Sequence, residues 1–104
     1  MRNKAVTLGK IADVLAVRGQ LDDALRIRRE EVLPALEQLG DVHALLVGQA
    51  NLAATLLLTR KPEHLPEARA LLLAAEAAAR ALGLPAELEA IRSWFPDAGL
   101  PPTS

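Results

Sequence analysis

The chain repeats itself. Shifted by 41 positions, Val6 falls on Val47, Ala12 on Ala53 and Leu15 on Leu56. Beyond an insertion of three residues, a shift of 44 sets Leu21 on Leu65 and Ala24 on Ala68, and a shift of 43 brings Leu39 and Gly40 onto Leu82 and Gly83. A period in this range marks folds that stack one small unit, because a single unit cannot bury its own apolar face. The sequence therefore predicts two copies of a unit of about 42 residues, each a helix, a turn, a longer helix and a glycine.

Local patterning agrees with that unit. From Asn3 to Arg18 the apolar residues Val6, Leu8, Ile11, Ala12, Val14, Leu15 and Val17 recur at three- and four-residue spacing, which predicts an amphipathic helix. Gly19 stops it, and Asp22 and Asp23 fall in the first turn of the next helix, where negative charge suits the macrodipole. That helix runs to about Leu39, with Asp22–Arg26 and Arg26–Glu30 expected as i,i+4 pairs on a solvated face. Pro34 should kink or split it near Leu33. Gly40 and Asp41 repeat the stop and restart, opening a helix from Val42 to Thr59. A fourth, alanine-rich helix starts near Pro66 and stops at Gly83; Pro85 opens a short fifth one that Pro96 ends, and residues 97–104 read as a loose tail. With aromatics at only 2% of the chain, the core must be built from Leu, Ala, Val and Ile.

One stretch is specific enough to compare with a known family. "GKIADVLAVRGQLDDALRIRREE" resembles a tetratricopeptide repeat: small Ala12 in the first helix, Gly19 at the turn, large Leu21, two acids, then small Ala24 where the helices cross closely. In the second copy, "NLAATLLLTRKPEHLPEARALL" keeps Ala53, Leu65 and Ala68 but lacks the turn glycine. The unit is longer than the usual 34 or so residues and is similar to the long variety found in tandem arrays of bacterial multidomain proteins. The resemblance implies an all-α solenoid of two antiparallel helical hairpins, at about 1–41 and 42–84, with a capping helix at 85–95 that Trp94 and Phe95 plug, together one domain over 1–96. It also implies a non-catalytic protein-interaction module, the C-terminal part of a larger bacterial regulatory or scaffold protein.

Composition narrows the partners. Lys plus Arg is 12 and Asp plus Glu 13, so there is no basic excess for nucleic acid or for an anionic membrane surface. The absence of cysteine fits a reducing cytoplasm, and the N-terminus has no signal-like apolar run. Enzymatic and metal chemistry find little to use. Asp22 and Asp23, being adjacent, point to different sides of a helix; His43 and His64 have no zinc-ligand spacing; serine occurs only at Ser93 and Ser104. "LGK" at Leu8 to Lys10 lacks the other glycines of a phosphate loop, and "RIRREE" from Arg26 to Glu31 reads as a solvated helix face. The expectation is no enzyme, no cofactor and no metal, but a protein or peptide partner.

Two surfaces are expected to meet that partner. By resemblance, the first helix of each hairpin lines a concave groove, presenting Val6, Gly9, Asp13, Ala16 and Val17 from one copy and Val47, Ala50, Asn51, Ala54, Leu57 and Leu58 from the other. Of the Lys and Asn that grip a peptide carboxylate in such grooves, only Asn51 has a match; Gly9 and Asp13 stand at the other places. The second surface is the open side of the first helix, given as Ala5, Leu8 and Leu15, against which a preceding repeat would normally pack. The alternative reading is a homo-oligomer formed through that open face.

Overall fold

Helix α1 (Arg2–Val17) ends in a glycine turn whose hydrogen bonds state why the chain reverses there. Gly19 takes φ 81°, its N–H donates to the Ala16 carbonyl at 3.0 Å, and the Gln20 N–H donates to the Leu15 carbonyl at 2.8 Å. This pair satisfies two of the carbonyls that every helix end leaves open, and the left-handed backbone it needs costs a glycine nothing sterically. The computed structural model describes residues 2–101, with side chains from Lys4 onward, and among these residues every regular element is helical.

The second helix is continuous but not uniform. It comprises α2 (Leu21–Ile27), a π-helical turn (Arg28–Val32) and α3 (Leu33–Leu39), with right-handed backbone at both junctions. Pro34 explains the π turn. Its ring nitrogen has no proton to donate to the carbonyl four residues back, and its ring crowds that carbonyl. The chain widens one turn upstream, where the Leu33 N–H donates to the Arg28 carbonyl five residues earlier. The proline thus alters the ladder before Leu33 instead of breaking the helix at it. Gly40, at φ 69°, ends α3, and Asp41 caps α4 (Val42–Leu58) by accepting from the Ala44 N–H at 3.0 Å.

The rest follows the punctuation of the sequence. A single 3₁₀ turn (Pro62–His64) leads into α5 (Leu65–Leu82), which carries Pro66 in its first turn and stops at Gly83; α6 (Pro85–Arg92) begins on its proline. The segment after α6 is seated, contrary to the expected loose tail. Pro96–Ala98 forms a 3₁₀ turn, Ala98 is fully buried, and its carbonyl accepts from Arg69 Nε at 2.6 Å. Leu100 packs against the core beyond it. Residues 102–104 of the expected tail lie outside the described residues.

α1 packs against α2 and the π turn, α4 packs extensively against α5, α6 lies on α5, and α2–α3 joins the two pairs by touching α4. The helices fill 36 × 30 × 19 Å. Two apolar clusters result. One gathers Ala12, Ala24, Ile27, Val32 and Leu36 between the first pair; the other gathers Leu46, Leu52, Leu56, Leu72, Ile91 and Phe95 between α4, α5 and α6. Both alanine pairs singled out in the sequence, Ala12 with Ala24 and Ala53 with Ala68, are fully buried. Phe95 is the largest fully buried side chain, and Trp94 packs on the same cluster half-buried. Truncating any of Leu46, Leu52, Leu56, Leu72 or Phe95 to alanine should remove about 2–5 kcal/mol.

Candidate functional site

α4 lies between α1 on one side and α6 on the other, and a groove runs along each flank. The α1–α4 groove, of about 340 Å³, has Val6, Asp13, Val47 and Asn51 on its walls and Val32, Leu36, Ala44 and Gly48 among its deeper residues. Its depth comes from Gly48. A Cβ built there would come within 2.7 Å of Leu36 Cδ1 and 3.3 Å of Leu33 Cδ2, so α3 reaches close to the α4 backbone only because the side chain is missing. The α4–α6 groove, of about 180 Å³, is lined by Val47, Ala50, Asn51 and Ala54 opposite Glu87 and Trp94.

The structure therefore brings together most of the residues expected on a concave face, in two neighbouring channels that share Val47 and Asn51. Leu57 and Leu58 stand apart. They line a third depression of about 280 Å³ at the C-terminal end of α4, with Arg60, Lys61, Leu65 and Trp94. Val17 is in the lining of neither groove and is 88% exposed on the last turn of α1. Gly9 lies in the α1–α4 groove, whereas Ala16 packs half-buried on the core beneath α1.

The expected open face needs correction. Ala5 is 3% exposed and belongs to the core, and Leu8 and Leu15 are half-buried against the same cluster, so Ala5 has no surface to offer. The outward side of α1 carries Thr7, Ile11 and Val14 instead, with Ile11 44% and Val14 52% exposed. The reason is phase. Ala12 is buried where α1 meets α2, so residues three, four and seven away from it point inward as well.

Electrostatics were the least legible part of the site. Arg28, expected on a solvated face, is 6% exposed. Its guanidinium pairs with Asp13 of α1, and its Nε donates to Thr55 Oγ1 of α4 at 3.1 Å, while that hydroxyl donates to the Asn51 carbonyl at 2.8 Å. One buried cation thus ties α1, the π turn and α4 together beneath the groove, and the Asp13 carboxylate in the wall is already engaged. Arg29 forks onto Glu67 at 3.0 and 2.7 Å, joining the π turn to α5, and this contact raises the Arg29 pKa. Arg26 approaches Asp23 at 3.9 Å instead of forming the two i,i+4 pairs expected of it, and Asp22 faces Lys61 at 4.0 Å.

At the far side, His43 Nε2 meets Glu87 Oε2 at 2.8 Å, bridging α4 and α6. Hydrogen bonding from His43 first, and from the backbone second, holds the Glu87 carboxyl below the usual carboxylate range. His64 is engaged with Thr59 Oγ1 at 2.7 Å. Glu76 is buried and held by Arg92 Nε at 3.0 Å and Arg80 at 3.3 Å, a second buried charge that the alanine-rich pattern of α5 concealed. No described group of three or more His, Asp or Glu side chains is placed to share a metal ion, and no described helix is long and apolar enough to cross a membrane.

Comparison with protein families, curated proteins and solved structures gave no match. The two grooves along α4 are concave and mixed in polarity, with apolar walls, the exposed Asn51 side chain between them, the paired charges of Asp13 with Arg28 and His43 with Glu87, and Lys10 on the α1 edge.

Proposed function

We propose that this chain is a non-catalytic protein-interaction module of tetratricopeptide-like build. In this reading α1 with α2–α3, and α4 with α5, are two hairpins of a short α-solenoid, and α6 with Phe95 closes the second. The partner is an extended segment of another protein lying along α4. One observation carries the proposal: Val6 and Val47, on facing helices, stay 48% and 38% exposed above a channel floored by Ala44 and Gly48. A folded chain gains nothing from holding such apolar walls open to water, whereas a bound segment would cover them. Asn51, on the rim of both channels, offers the donor and acceptor that a peptide backbone needs.

Selection of peptides on the purified chain from a displayed random library tests this directly. Selected sequences should lose binding to Val47→Glu and to Asn51→Ala while circular dichroism stays unchanged. Leu58→Glu, in the separate depression at the end of α4, should leave that binding intact. Failure of the wild-type chain to enrich any peptide, or equal binding by Val47→Glu, would remove the groove from consideration.

A further inference from the structure

The outward face of α1 is chemically unlike either groove. Lys4, Thr7, Ile11, Val14 and Arg18 recur at three- and four-residue spacing along it, with Lys10 beside them, and all six are exposed. Thr7, Lys10, Ile11, Val14, Leu15 and Arg18 border one shallow depression, and Lys10 also stands at the edge of the α1–α4 groove. Every charge on this face is positive. Among the described residues none of Lys4, Lys10 and Arg18 lies within ion-pair distance of a carboxylate, and Asp13, the one acid of α1, is turned to Arg28.

We propose that this face docks an amphipathic helix of a different protein, one whose apolar stripe is flanked by Asp and Glu. Ile11 and Val14 supply the apolar contact, and the cations on either side of it find the counter-charges that the described residues do not provide. The same charges disfavour a second copy. In a two-fold, antiparallel α1–α1 contact, Lys4 would face the partner's Arg18, and Lys10 would approach its own equivalent near the axis, which sets like charges together. α1 spans about 24 Å at 1.5 Å per residue, so one helix laid along it buries less than the roughly 1,200 Å² typical of stable complexes. The contact is consequently weak and strongly salt-dependent.

The test uses two synthetic helical peptides with one apolar stripe, flanked by Glu in the first and by Lys in the second, titrated into the labelled full chain by NMR. The Glu peptide should shift the amides of Thr7, Ile11 and Val14 and bind about tenfold tighter than the Lys peptide at low salt, since three individually weak ion pairs add to that order. The difference should shrink at high salt. The double variant Lys10→Glu with Arg18→Glu, both exposed changes that leave the core untouched, should reverse the preference. Four outcomes would overturn the proposal: no binding of either peptide, equal binding of both, shifts confined to α4, or binding of α1 to phosphatidylserine vesicles in place of the peptide. A dimer in sedimentation equilibrium that Val14→Asp dissolves would overturn it too, by assigning the face to a second copy.

Discussion

Gly19 and Arg60 hold the same left-handed backbone, at φ 81° and 56°, each two residues past the end of a helix that begins a hairpin. One hydrogen bond corresponds as well: the Gly19 N–H donates to the Ala16 carbonyl at 3.0 Å and the Arg60 N–H to the Leu57 carbonyl at 3.1 Å. After Gly19 the Gln20 N–H donates to the Leu15 carbonyl at 2.8 Å, whereas after Arg60 the Lys61 N–H donates to Thr59 Oγ1 at 3.4 Å, so Arg60 shares the left-handed backbone of Gly19 but not the whole of its turn. A non-glycine residue there is strained by roughly 1–2 kcal/mol, against a glycine entropy cost of roughly 0.5–1 kcal/mol. Arg60→Gly should stabilise the chain by about 0.5–1 kcal/mol in urea denaturation. Gly19→Ala should do the reverse, and a destabilised Arg60→Gly would mean that the two positions are not equivalent in backbone.

Ala12 and Ala24 are fully buried in one cluster where α1 meets α2. Ala24→Leu has no space for its added carbons and should cost about 1–3 kcal/mol through overpacking. A neutral result would show that the helices do not depend on small residues at their crossing.

Helix starts and stops were readable because each rests on a nearest-neighbour rule: Gly40 followed by Asp41, Pro66 in a first turn, Pro85 after Gly83. The buried alanines were readable because each has an echo along the chain, Ala12 at Ala53 and Ala24 at Ala68, although the two pairs are 12 and 15 residues apart. What escaped depended on distant partners. Arg28 sits in a run of balanced charge, and only Asp13 and Thr55, from two other helices, make its burial tolerable. Of Ala5, Leu8 and Leu15, expected on the open face of α1, Ala5 is buried because it lies seven residues before Ala12 on the inward phase, whereas Leu15 keeps an edge on the outward depression. Ala12 contained the missing signal, since a residue at a close crossing fixes which neighbours point inward.

Gly48 sets how deeply the α1–α4 groove is cut. Gly48→Ala gains roughly 1 kcal/mol of helix propensity but pushes on Leu36 Cδ1, the flexible end of a buried side chain. These effects oppose each other, so the stability change should stay within about 1 kcal/mol of zero. Gly48→Val sets an isopropyl group against Leu33 and Leu36 and should cost about 1–3 kcal/mol, read from thermal or urea midpoints. Equal, small effects of both substitutions would mean that α3 and α4 can separate freely.

Removing Asp13 leaves Arg28 buried without its countercharge, whereas removing Arg28 leaves Asp13 in water, where its side chain is already 66% exposed. The costs are asymmetric for that reason. A fully enclosed pair would lose roughly 3–5 kcal/mol on losing one partner, and screening at Asp13 reduces this to about 1–2 kcal/mol for Asp13→Ala. Arg28→Met, which keeps the packing volume and leaves Thr55 bonded to the Asn51 carbonyl, should cost less. If Arg28→Met proves the more damaging of the two, the cation holds the three helices together by more than its pairing with Asp13.

His43 and Glu87 join α4 to α6 by a contact that lowers the Glu87 pKa in the folded chain. A carboxyl lowered on folding stabilises the fold above its unfolded pKa, and that contribution is lost as pH falls through the folded one. His43→Ala should therefore raise the Glu87 pKa, measured by carbon-13 NMR of its carboxyl, without restoring it fully, because the backbone hydrogen bond still lowers it. The stability gap between wild type and His43→Ala should be present at neutral pH and close on acidification through and below the ordinary carboxylate range. An unmoved Glu87 titration in the variant would show that the bridge is not formed in solution, and the α4–α6 groove would then be free to widen at its Glu87 end.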